Sequence, residues 1–170
     1  RSVSRGLGDV YKRQLLSAKV ITLYPELFPG PLSASVTGRA LENKLWSLET
    51  IDLKKYGKGR HKKVDDKPIS GGPGMILMPD VLDEAILKAN SLISGKNKLI
   101  VCMSPKGIPL NQNLVKNMAQ YNEIIIVCGR FEGIDQRVIE KHKMKEVSIG
   151  DFILTGGELG ACLLYTSPSP

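Results

Sequence analysis

No apolar run in the chain approaches the roughly 20 residues that a bilayer-spanning helix needs, so no membrane segment is read from it. Its three cysteines, Cys102, Cys128 and Cys162, form no C-x-x-C pair and no ladder of metal-ligand spacing. That disfavours a disulfide framework and a zinc-type cluster, and no metal site is read from the sequence. Cys102 and Cys128 close apolar runs and read as small buried hydrophobes, in keeping with a reducing, cytoplasmic setting. The common nucleotide signatures are missing too. There is no G-x-x-x-x-G-K-[ST] loop, and the first strand-like run leads into Tyr24-Pro25-Glu26 instead of G-x-G-x-x-G. A Rossmann dinucleotide site and an ordinary Rossmann-type methyltransferase are thereby disfavoured. No internal repeat is visible.

What is present suits one soluble domain: 170 residues, 42% hydrophobic and 24% charged. A chain of that size buries roughly 70% of the surface its unfolded form exposes. The formal charge of +7 and pI near 9.3 point to an anionic partner. Residues 1–14 carry four basic side chains against Asp9, a net +3, which leaves +4 for the remainder. That segment lacks periodicity, and 163–170 is a Ser/Pro run that interrupts a helical pattern. Both ends resemble translated adapter scars and are expected to be non-native, leaving a domain over 15–162.

Along the chain, 19–24 reads as a first strand ended by Pro25, and a helix is expected over 37–45 with Ala40, Leu41 and Leu45 on one face. A short strand follows over 48–53. Residues 54–74 hold seven Lys/Arg, His61 and five glycines with little to bury, so a long surface loop is expected. A helix over 81–92 has Asp80 as its expected N-cap. Buried strands are read at 99–103 and 123–128, helices around 114–118 and over 133–143, and Val147 opens the last segment. Strands alternating with helices give an α/β fold with a mainly parallel sheet.

Ligands in such sheets bind beyond the carboxyl ends of the strands. Three segments are placed there: 104–107, 129–135 and 149–157. They mix glycine with placed acids and Arg130, the means to hold a small polar ligand against exposed backbone. Plainer readings stand beside this one. Residues 129–135 serve equally as a strand-to-helix turn with Asp135 or Glu132 at the helix start, and 54–67 as a solvated charged loop. Asp65-Asp66 fits a turn, His61 a solvent-facing position, and His142 compensation of a helix dipole.

The strings Tyr24-Pro25-Glu26-Leu27-Phe28, Val36-Thr37-Gly38-Arg39-Ala40, Arg60-His61, Val64-Asp65-Asp66-Lys67-Pro68 and Gly71-Gly72-Pro73-Gly74-Met75 come in that order. Ser104-Pro105-Lys106-Gly107, Gly129 to Asp135 and Ile149 to Leu159 complete the series. Together they resemble the bacterial tRNA (guanine-N1)-methyltransferases of the trefoil-knotted SPOUT class, over roughly 19–159. The resemblance implies a C-terminal trefoil knot in the α/β sheet and a homodimer. It also implies S-adenosyl-L-methionine as cofactor, tRNA as partner, and methylation of N1 of the guanosine 3′ of the anticodon. By position, the implied cofactor residues are Ser104, Pro105, Gly107, Gly129, Ile149, Gly150, Asp151, Phe152, Ile153, Leu154, Gly156 and Gly157. On the substrate side the resemblance implies Arg130, Glu132, His61, Asp65, Pro73, Gly74 and Arg39. Magnesium is an implied helper near Glu132, although no ligand cluster in the sequence calls for it. Ile69-Ser70 departs from the glycine or aromatic-glycine pair common in the family.

The family's base is an aspartate in the linker after the knot, assisted by an arginine there. The pattern here stops after Leu159, so neither catalytic residue is named. The family's C-terminal tRNA-binding domain is not matched, and the chain is expected to be inactive or very weak in turnover. The knot itself is expected to be cut short. Two alternatives stay open: a noncatalytic RNA-binding knotted module, and a related knotted methyltransferase acting on another RNA.

Overall fold

The computed structural model describes residues 16–68, 71–93, 95 and 97–166. The segment 1–14 and the Ile69-Ser70 departure lie outside the described residues. Five parallel strands form the main sheet: β1 (Leu16–Thr22), β2 (Trp46–Asp52), β5 (Lys98–Pro109), β6 (Glu123–Cys128) and β7 (Lys145–Ser148). They run in the order β2-β1-β6-β5-β7. Two short strands, β3 (Asp65–Asp66) and β4 (Ile76–Leu77), pair antiparallel beside it. The helices are α1 (Ser35–Glu42), α2 (Pro79–Ser91), α3 (Gln112–Met118), α4 (Gln136–Lys141) and α5 (Glu158–Thr166). The expected α/β fold with a mainly parallel sheet is what forms.

β6 sits at the centre, with Ile126 in register with Val20 on one side and Val101 on the other. Its side chains alternate between two cores. Ile125 and Val127 face α2 and α4 through Leu82, Ala85, Ile86, Val138 and Ile139. Ile124, Ile126 and Cys128 join Val147, Ala161, Leu164 and Tyr165 on the other face. A strand buried on both faces must be apolar at every position, which is why β6 reads as an unbroken run. On the second face Trp46 stacks on Tyr165 with ring centroids 5.4 Å apart.

Several expected boundaries are corrected. β1 spans Leu16–Thr22 and ends before Leu23, not at Tyr24. α1 ends at Glu42, so Leu45 lies beyond it and is exposed, while Gly38 is the buried position of that helix. α2 starts at Pro79 with Met78 in the N-cap position. Asp80 is already inside the first turn and accepts from the Val81 amide. Proline at the first helical position sets the required φ without losing a hydrogen bond, and this fixes the earlier start. α4 covers only Gln136–Lys141, because Asp135 caps it by accepting from the Arg137 amide at 2.9 Å.

The 54–74 region has more structure than a bare loop. A 3-10 turn over Leu53–Tyr56, a Lys58–Lys63 bridge, buried Val64 and the β3–β4 pair organise it. α5 runs on through Thr166, with Leu164 and Tyr165 buried.

Ile126 is wholly inaccessible and touches strands on both sides. Ile126→Ala is expected to lower unfolding free energy by about 3 kcal/mol, the usual range for a buried branched side chain cut to Ala. Leu163→Ala, at an exposed site on α5, serves as the control with a change below about 0.5 kcal/mol. Chemical denaturation with an unchanged slope checks both.

Candidate functional site

All five strands of the main sheet point the same way, so their carboxyl ends share one edge. β5 supplies the first wall there in an unexpected manner. Its pairing with β7 jumps from Met103 to Ile108, both opposite Val147, so 104–107 is an excursion inside the strand and not a loop after it. Ile108 and Pro109 then rejoin β7, and the Leu110 amide donates to the Ser148 carbonyl at 2.7 Å. The excursion projects Ser104, Pro105 and Lys106 over the edge. Gly107 turns back against the β7 backbone at Glu146 and Val147.

A cavity of about 200 Å³ opens at this edge. Of the sequence-predicted cofactor residues, Ser104, Pro105, Gly129, Ile149, Phe152, Ile153, Leu154, Gly156 and Gly157 line it. Gly107, Gly150 and Asp151 do not. Gly150 lies beneath the Phe152 ring and exchanges hydrogen bonds with the Ser148 hydroxyl, and Asp151 is exposed. The sequence reading missed Met103, Gln136 and Glu146, which also line the cavity. Met103 and Glu146 owe their places to the strand register, which no local pattern reveals.

Among the predicted substrate-side residues, Arg130 and Glu132 line the cavity. Residues 71–75 bring a second element to Glu132: its amide donates to the Met75 carbonyl at 2.9 Å. Gly74, at φ +89, is so close to the Glu132 side chain that a Cβ would collide with it. Pro73 precedes it, exposed. Asp65 is held one step away, paired with Leu77 in the β3–β4 ladder, and Leu77 bridges to Ile134. His61 sits in an exposed turn and Arg39 on exposed α1; neither lines the cavity.

Arg130 is tightly held. Its Nε donates to Glu158 Oε1 at 3.2 Å, its Nη2 pairs with Glu158 Oε2 at 3.0 Å, and its Nη1 donates to the Thr155 carbonyl at 3.2 Å. The guanidinium lies over the Tyr24 ring, 4.5 Å from its centroid. Glu158 is 4% exposed and also accepts from the Thr22 hydroxyl at 2.9 Å.

The thiols under the cavity are inert. Burial pushes the Cys102 thiol up to about 12, with Glu146 adding to the shift, and burial raises Cys128 well above its ordinary value. Both stay protonated near neutral pH, so neither is a nucleophile. Among the described residues no group of three or more His, Cys, Asp or Glu is placed to hold a metal ion, which leaves magnesium without a ligand set there. No helix of the described residues is long and apolar enough to cross a membrane.

Backbone at Gly129, Gly156 and Gly157 lines the cavity beside apolar Met103, Ile134, Val147 and Leu154, the mix of apolar wall and a few polar groups usual in small-molecule sites. Fold and site thus define an α/β protein with a cavity at the carboxyl edge of a parallel sheet, without a phosphate-binding glycine loop. The model of the tRNA (Guanine-1)-methyltransferase TrmD family matches residues 16–168, and the chain belongs to that family. It is 48% identical over 149 residues to a tRNA (guanine-N(1)-)-methyltransferase of Ehrlichia canis, covering 88% of this chain and 62% of that protein. A protein of the same name from Agrobacterium fabrum is 52% identical over 147 residues, covering 86% and 62%. One from Ruegeria pomeroyi is 47% identical over 144 residues, covering 85% and 59%. The chain spans about three fifths of the length of the curated relatives it matches.

Below the site, two carboxylates tie down α4. Hydrogen bonds from the Arg137 side chain hold Asp135 below the usual carboxylate range, against the opposing effect of burial. A hydrogen bond from Lys141, supported by one from His142, does the same for Asp83. Carboxyls depressed in the folded state stabilise it fully above the unfolded Asp value of about 3.9 and lose that contribution as pH falls through the folded values. Stability is therefore expected to fall below about pH 4. The Asp83→Asn, Asp135→Asn double variant should be less stable at pH 7 and lose less between pH 5 and pH 2; urea midpoints across that range check it.

Proposed function

We propose that this chain is the cofactor-binding part of a tRNA (guanine-N1)-methyltransferase, taking S-adenosyl-L-methionine in the cavity and the guanine 3′ of the anticodon at its mouth. The observation that carries the reading is the convergence of 104–106, 129–134, Ile149 and 152–157 on one cavity, in a chain of this family. On this reading the knot of the family, with 149–157 as one of its loops, bends the cofactor to fit. The backbone at Gly129, Gly156 and Gly157 meets the adenine edge, and Phe152, Ile153 and Leu154 cover it. S-adenosyl-L-methionine supplies a methyl on a sulfonium, which guanine N1 attacks; the N1–C bond forms as the S–C bond breaks, and the N1 proton leaves to a base.

This chain's own contribution to substrate is Glu132. Exposed at the mouth and set by Met75 and Gly74, it is a carboxylate available to accept from the guanine amino and imino groups. The flipped-out base such chemistry requires would lie at the cavity mouth, over the Glu132 carboxylate. Arg130, expected to read the guanine acceptors, has Nε, Nη1 and Nη2 engaged by protein acceptors, so base contact falls first on Glu132. His61, Asp65, Pro73 and Arg39 belong to the surface that approaches the tRNA, together with the Lys/Arg of 54–67, whose charge supplies sequence-independent affinity. A second copy of the chain completes the reading. Ile153, 86% exposed, and the exposed Leu159 are apolar positions for it to cover. The setting is the cytoplasm, where tRNA is found.

Calorimetric titration of the chain with S-adenosyl-L-methionine is expected to show one site per chain, and with the demethylated product likewise; no heat with either, alongside retained RNA binding, overturns the reading in favour of a noncatalytic RNA module. A second measurement concerns the base. With the demethylated product bound, an anticodon stem-loop with guanine at the target position should bind about tenfold tighter than one with adenine there, the lower part of the range for specific edge contacts. Glu132→Gln should abolish that preference and leave cofactor affinity within about twofold. Gly74→Ala, which crowds Glu132, should reduce the preference as well.

A further inference from the structure

Thr22 and Glu158 are buried polar side chains 136 positions apart in sequence, and neither lines the cavity. Glu158 sits in the last of the strings that carry the family resemblance and Thr22 in none, and the reaction as read above uses neither. We propose that Glu158 is a positioning residue. Through Arg130 it holds the 155–157 backbone against Gly129 and fastens that wall of the cavity to the end of β1. The inference rests on the proposed function only for the identity of the ligand that the wall contacts.

The connections are continuous. Glu158 Oε1 accepts from Thr22 Oγ1 at 2.9 Å and from Arg130 Nε at 3.2 Å, and Oε2 pairs with Nη2 at 3.0 Å. The Thr22 hydroxyl in turn accepts from the Tyr24 amide at 3.0 Å, and the Tyr24 ring lies under the guanidinium. On its far side Arg130 donates to the Thr155 carbonyl, and its backbone bridges to Gly156. The Gly157 amide donates to the Gly129 carbonyl at 3.0 Å. Gly156 leaves room for the pair, since a Cβ there would collide with Arg130 Nε and Glu158 Oε2.

Two strand ends and the lead into α5 are joined this way. Thr22 closes β1, Gly129 follows β6, and 155–157 is the stretch leading into α5. A buried carboxylate left without its guanidinium is strongly unfavourable, so Arg130 is not free to leave Glu158 for a substrate. It works as a strut, and the 155–157 wall moves only if the whole unit does.

Amide hydrogen exchange by NMR tests this without any ligand, on the chain carrying Glu158→Gln, Thr22→Val or, as control, Leu164→Ala at the buried far part of α5. Glu158→Gln is expected to speed exchange at the Gly157 amide at least tenfold, with Ile125, Ile126 and Val127 in β6 unchanged, and to weaken S-adenosyl-L-methionine about tenfold by calorimetry. Thr22→Val should act in the same direction with a smaller effect. Leu164→Ala should lower the melting temperature while leaving cofactor affinity within twofold. Gly157 exchange within twofold of wild type in Glu158→Gln overturns the inference, as does equal acceleration in β6, which marks a merely global loss. If Glu158→Gln does not fold, Thr22→Val decides on the same two criteria. Should the unaltered chain bind no S-adenosyl-L-methionine, the proposed function fails, and the exchange data alone still decide the strut.

Discussion

Parallel pairing around β6 is the constraint from which the rest of the molecule follows. Parallel neighbours cannot be joined by a tight hairpin, so each strand must be followed by a crossover before the next begins. With β1, β5 and β7 all aligned with it, the chain leaves each strand at the same edge. Burial of β6 on both faces then makes that edge rigid: Ile125 and Val127 are locked into one core, Ile124 and Ile126 into the other. The segments that follow the strands are irregular backbone set on a frame that does not yield. A ligand cavity at this place needs no special device beyond the direction of the strands.

The apolar skeleton was legible in the residues because its causes are local. β6 over 123–128, the Asp135 cap and the burial of Cys102 and Cys128 all follow from runs, spacing and side-chain chemistry within a few positions. What escaped was set by partners distant in sequence. Residues 104–107 look like the end of a strand because Pro105 and Gly107 ordinarily end one. Only pairing of Ile108 and Pro109 with β7 turns them into an excursion. Leu45 looked like the next apolar position of α1, but the helix stops at Glu42 and leaves it exposed. Glu158 is the sharpest case. An acidic residue after two glycines carries no mark of burial, and its partners Arg130 and Thr22 lie 28 and 136 positions away.

Charge near the cavity is divided between groups that are fixed and groups that are free. Glu158 and Arg130 neutralise each other inside the wall, with side chains only 5% and 19% exposed. The thiols beneath are held protonated by burial. What remains facing the opening is Glu132, with Glu146 on the β7 side and Lys106 on the 104–106 excursion. On the proposed function this division suits a direct displacement: the donor is already cationic, a carboxylate near it costs nothing to maintain, and no covalent intermediate on cysteine competes.

The basic loop shows the same economy. Lys58 lies beside Glu84 and Asp80, Lys63 beside Asp66, and Lys54 sits over the Tyr24 ring at 4.9 Å. These contacts are largely exposed and individually weak, so they orient the loop more than they stabilise the fold, and each is open to exchange for a phosphate at little cost. Tyr24 is the point of contact between the two systems, with Lys54 and Arg130 both against its ring. A ring in contact with both Arg130 and Lys54 joins the cavity wall to the charged surface. An anion that drew Lys54 away would alter the surroundings of Tyr24, but it would leave Arg130 anchored by Glu158. On the proposed function, the loop and the cavity are linked through β3, β4 and the Gly74–Glu132 contact instead, where backbone meets side chain with no slack.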